Sequence, residues 1–126
     1  MYSTRTLSFD RLTQDAAWSL PPARPLQFPS VGHFRQASDR AIAHAREVDG
    51  LQPSTLRWAK GSYQSFESFL VDTKLSRDFL SGEVERQLRV LAGWIAWQRQ
   101  RGLSRTSINT RWRGLAAICR WLTRME

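Results

Sequence analysis

Between Arg99 and Arg124 the chain carries Arg99, Arg101, Arg105, Arg111, Arg113, Arg120 and Arg124, and the only acid from there to the end is Glu126. A guanidinium stays charged at any physiological pH, and its planar fork matches phosphate oxygens. Interleaved with these cations are Thr106, Ser107, Asn109 and Thr110, whose hydroxyl and amide groups suit phosphate oxygens or base edges. A smaller set, Thr55, Arg57, Trp58 and Lys60, follows Pro53-Ser54. Catalytic chemistry has no comparable footing. His33 and His44 stand eleven positions apart with no Cys or carboxylate pattern to complete a metal set, and they read as surface or structural residues. Cys119 is the single cysteine, which excludes an internal disulfide and any site needing two thiolates, and it reads as core. No Gly-rich phosphate loop, His-centred triad or H-E-x-x-H motif occurs, so no cofactor, metal or catalytic residue is expected.

The elements that must position these residues fit within 126 residues, enough for one domain with a core plus a tail. The composition, 41% hydrophobic and 24% charged, is that of a globular chain. The net charge of +8 is unevenly placed: up to Gly50 six arginines face five acids, so nearly all the excess lies beyond it. A soluble basic domain with this concentration calls for an acidic partner, nucleic acid being the commonest. No apolar run approaches the roughly 20 residues of a membrane span, and Met1 to Asp10 holds no hydrophobic signal core. A cytoplasmic location with no membrane partner is expected.

Residues 1–29 show no sustained period and contain Pro21, Pro22, Pro25 and Pro29, which predicts an irregular arm, removable without loss of the fold. Residues 30–126 are expected to form the domain. Ser30 caps a helix over about 31–48, with Phe34, Ala37, Ala41, Ala45 and Val48 on one face and Gly50 as its stop. Pro53 and Ser54 begin a second, over 54–73, with Leu56, Ala59, Tyr63, Phe66 and Leu70 in register. Within it Gly61 either weakens the helix by about 1 kcal/mol relative to Ala or marks a close contact. After a loop through Ser81-Gly82, the stretch 83–101 places Val84, Leu88, Leu91 and Ile95 in line, with Val90, Trp94 and Trp97 widening the apolar sector, the pattern of a central helix. Gly102 ends it, and Ser104 caps a last helix over 104–124, whose stripe Ile108, Trp112, Leu115, Cys119 and Leu122 opposes Thr106, Asn109, Arg113, Arg120 and Arg124. Strand-type alternation is missing, so the predicted class is all-α with four helices. Trp94, Trp97 and Trp112 fall at apolar stripes and read as core, whereas Trp58 and Trp121 fall off them and read as interface residues.

The order of motifs resembles a known family. Ser54-Thr55-Leu56, then Tyr63, Phe66, Phe69 and Leu70, then the helix to Arg101, then Arg101-Gly102-Leu103-Ser104 with Ser107-Ile108-Asn109 and Leu115, is similar to the core-binding (SAM-like) domain of tyrosine recombinases of the phage-integrase type. The likeness covers about residues 53–124. It implies a four-helix domain forming half of a clamp around double-stranded DNA, with the helices at 54–73 and 104–124 entering or bordering the major groove. It also implies contacts from Arg57 and Trp58 in the first, and from Thr106, Ser107, Thr110 and Arg113 in the second. Two positions depart from the pattern: Ala59 stands where an aromatic residue is common, and Ser107 where threonine is usual. The family's catalytic Arg, Lys, His and Tyr set belongs to a second domain, which would begin after Glu126. The chain is thus expected to be a fragment or isolated domain without activity of its own, partnered by that catalytic domain and by other recombinase protomers.

The expected DNA-binding set is Thr55, Arg57, Trp58, Lys60, Arg105, Thr106, Ser107, Asn109, Thr110, Arg113, Arg120 and Arg124. A helical protein–protein interaction module using Trp58, Trp121 and the arm is the alternative. A repressor-like helix-turn-helix fits less well, because helices near twenty residues exceed the short pair that such motifs use.

Overall fold

Every regular element described in the computed structural model, which covers residues 26–124, is a helix: α1 (Val31–Asp49), α2 (Pro53–Thr73), α3 (Ser76–Leu80), α4 (Val84–Gln100) and α5 (Arg105–Arg124). No strand forms among the described residues, and Gln27 and Ser81 make an isolated antiparallel bridge. The described residues are all-α, with five helices where the hydrophobic period predicts four. The additional one, α3, is a single turn in the expected loop, too short to leave a period of its own; it buries Phe79 and Leu80.

Local chemistry sets the boundaries. Ser30 accepts the His33 backbone N–H at 3.2 Å to start α1, and Gly50, at φ 63°, closes it in the left-handed region that glycine adopts without a steric penalty. Pro53 opens α2, where its missing N–H costs no helical bond. The end of α2 is less conventional: Lys74 takes the left-handed conformation at φ 60°, while the Leu75 N–H bonds Leu70 O at 3.0 Å. Gly102 at φ 83° makes the tight corner before α5.

The core is built on aromatic contacts and on α5. Phe66 meets Phe79 and Trp94 edge-on at centroid distances of 4.7 and 5.0 Å, and Phe34 meets Tyr63 at 5.2 Å, which joins α1 through α4. The expected core residues Leu91, Ile95, Trp112, Leu115 and Cys119 are buried. The central helix, however, is α5 and not the one at 84–100: half of α5 is buried, against about a third of α4. The apolar stripe alone understates α5 because Gly114, Ala116 and Ala117 are also buried, and small residues let neighbouring helices close in. Two residues placed on buried faces lie outside instead. Val48 is 64% exposed at the end of α1, and Val84 is exposed in the first turn of α4, both past the edge of the packed region.

Residues 26–29, expected to belong to the arm, are packed on the domain. Leu26 is buried, Phe28 stacks on Phe34 at 5.3 Å, and the Phe28 N–H bonds Leu80 O at 3.3 Å. The fully buried Gln87 amide donates to the carbonyls of Leu26 and Phe79, so a polar side chain inside the core holds this segment in place. The remainder of the expected arm, residues 1–25, lies outside the described residues.

Candidate nucleic-acid interface

The candidate site is assembled from α2 and α5, which make the most extensive helix–helix contact among the described residues. Both bury one side in the same core. Outside that core α2 exposes Arg57 and Lys60, and α5 exposes Thr106, Thr110, Arg113 and Arg120, with Arg105 at the helix start. The electrostatics are one-sided, since α5 contains no carboxylate and α2 has none before Glu67.

Several of the described acids are engaged in pairs with other arginines. Glu67 takes a bidentate pair from Arg35, at 2.6 to 3.1 Å, and the Tyr63 hydroxyl at 2.7 Å. Partial burial would raise the Glu67 carboxyl, but the hydrogen bonds from Arg35 and Tyr63 prevail and hold it below the usual carboxylate range. Asp72 pairs with Arg101 at 3.6 Å, whose guanidinium also lies 3.8 Å over the Trp97 ring, and Glu83 pairs with Arg86 at 3.1 Å. By contrast Arg57, Lys60, Arg105 and Arg113 form no ion pair among the described residues, which leaves their charge for an outside anion.

The expected contact residues divide into three kinds. Arg57, Lys60, Arg105, Thr106, Arg113 and Arg120 are exposed as expected. Arg124 is also exposed, yet both its contacts, at 2.8 Å, go to the two carboxylate oxygens of Asp49, so it ties the end of α5 to the end of α1. The others are partly used by the fold. Ser107 stands in the cap of α5, where Ser104 Oγ accepts its backbone N–H and donates to its Oγ, each at 3.1 Å. The Thr110 hydroxyl donates back to Thr106 O at 2.9 Å, while Thr55 and Asn109 are partly buried. Trp58 is half-buried against the core and donates its indole N–H to Thr110 O at 2.9 Å, linking the two helices. Arg111, one of the seven cations from Arg99 onward, turns inward and donates to Ser65 Oγ at 3.2 Å and Gln98 Oε1 at 3.5 Å.

The reading of Trp121 as an interface residue is overturned: it is 8% exposed, because Ala117 and Ile118 on the same helix are buried too and the packed sector extends around to it. Trp121 is packed within the protein, whereas Trp58 is only half-buried against the core. Burial pushes the Cys119 thiol up to about 12, the nearby Arg120 charge opposing the rise, so it remains a protonated and unreactive core group. No helix among the described residues is long and apolar enough to cross a membrane, and those residues include no cluster of three or more His, Cys, Asp or Glu able to hold a metal ion. Comparison with protein-family models, curated proteins and solved structures returned no match.

Proposed function

We propose that this protein binds double-stranded DNA through the outward faces of α2 and α5, as the core-binding half of a site-specific tyrosine recombinase. The observation that carries the reading is the pairing of these two helices on one core, with Arg57, Lys60 and Arg113 outward, without ion-pair partners among the described residues. A helix has the width that the major groove of B-DNA admits, and exposed Arg and Lys supply sequence-independent phosphate contacts while Thr106 is placed for finer readout. The resemblance of residues 53–124 to the SAM-like core-binding domain adds the biological setting: a separate domain with the catalytic tyrosine would cut and rejoin the site that this part holds. In that setting the partners are the recombination site, the catalytic domain and neighbouring protomers.

Titrating a fluorescent random-sequence duplex with the protein tests the reading. Affinity should fall by orders of magnitude between roughly 50 and 200 mM salt, because each phosphate contact displaces condensed counterions. Affinity indifferent to salt would contradict it.

A further inference from the structure

The geometry points to Trp58, Ser62 and Gly114 as a positioning node that fixes the spacing of α2 and α5 and, with it, the spacing of the two cationic faces; this rests on the DNA-binding reading above. Three observations meet at the node. A Cβ built on Gly114 would overlap Ser62 Oγ, would lie 2.5 Å from Ser62 Cβ and would stand 3.4 Å from Trp58 O. Ser62 Oγ is itself held by donating to Trp58 O at 3.0 Å. Rotating the hydroxyl away cannot relieve the overlap, since the Ser62 Cβ is also too close. Any side chain at position 114 therefore forces the helices apart.

The third observation is the Trp58 indole bond to Thr110 O. Side chains of a helix lean toward its N-terminus, so a residue at 114 would cover the turn that carries the Thr110 carbonyl. Glycine there leaves the carbonyl open to an indole arriving from α2. One missing side chain thus permits both the close crossing and the hydrogen bond that locks it. Arg57, adjacent to Trp58, and Arg113, adjacent to Gly114, are carried directly by the two halves of the node, so a shift at the crossing changes their separation. Phosphates on a duplex sit at fixed spacing, and cations held at the wrong distance cannot reach their partners together. Trp58 acts here as a positioning residue, with its N–H turned away from the duplex.

The test compares wild type with Trp58→Phe, Gly114→Ala and the double variant Ser62→Gly/Gly114→Ala, by salt titration of duplex binding at a temperature where circular dichroism shows each fully folded. Trp58→Phe keeps an aromatic ring and removes the donor. It and Gly114→Ala should bind more weakly with a shallower slope, by about 0.9 for each phosphate no longer reached. The double variant removes the overlap at Ser62 but keeps a methyl group over the Thr110 turn, so it should bind with a slope between those of Gly114→Ala and wild type, regaining the part due to helix spacing and not the part due to the indole bond. Folded Trp58→Phe protein with wild-type affinity and slope, whatever its melting temperature, would overturn the node while leaving the DNA-binding reading intact. If wild type itself shows no salt-dependent duplex binding, that reading falls and the functional role of the node falls with it.

Discussion

At the scale of single residues, two glycines in helix interiors have opposite roles. Nothing lies within 4 Å of the place a methyl group on Gly61 would take, so Gly61 marks no close contact; Gly114 faces Ser62 directly. Gly61→Ala should therefore stabilise the protein by about 0.5–1 kcal/mol through helix propensity, whereas Gly114→Ala should destabilise it, and chemical denaturation separates the two. The Arg35–Glu67–Tyr63 cluster makes a second residue-scale prediction. Because the Glu67 carboxyl is held below its ordinary range in the folded state, its contribution to stability is full above that range and is lost as pH falls through and below it. Glu67→Gln should flatten the acid limb of a stability-versus-pH curve measured by thermal melting; an unchanged acid limb would mean that the cluster contributes nothing there.

At the scale of elements, the long helices were legible because each carries an apolar period between recognisable stops: Ser30 and Gly50 around α1, Pro53 before α2, Gly102 before α5. The single turn of α3 and the docking of Leu26 to Phe28 were not, since neither depends on periodicity; both depend on Gln87, a polar residue that bonds a carbonyl in each. The same limit applies to the candidate site. Exposure of Arg57, Lys60 and Arg113 follows from their helical phase, but the Asp49 partner of Arg124 and the Thr110 partner of Trp58 are long-range contacts that no local pattern encodes. The burial of Trp121 escaped because Gly114 and Ala117 contribute little to an apolar stripe while allowing helices to pack around most of α5. Two measurements check this packing. Leu115→Ala, in the fully buried centre of α5, should cost about 2–5 kcal/mol in denaturant unfolding. A chain truncated to begin at Ser30 should melt at a lower temperature than one beginning at Leu26, because it loses the stacked Phe28 and leaves the buried Gln87 amide short of a carbonyl.

At the scale of the whole molecule, α2 and α5 together carry an excess of positive charge. Glu67, Glu83, Asp72 and Asp49 pair with Arg35, Arg86, Arg101 and Arg124, while Arg57, Lys60, Arg105 and Arg113, like Arg40, Lys74, Arg77, Arg89 and Arg99 elsewhere, form no ion pair among the described residues. Pairing of that kind contributes little at exposed positions, so its consequence is less one of stability than of where positive potential remains. The most direct measurement of the proposed DNA-binding role is the salt dependence of duplex binding for wild type and for Arg57→Ala/Arg113→Ala, a variant that changes exposed side chains on both helices without touching the core. If the two faces grip DNA together, the variant binds every duplex more weakly, with a log–log slope reduced by about 0.9 for each arginine that had met a phosphate and with nearly unchanged thermal stability. Wild-type affinity and slope in the double variant would contradict the proposed role.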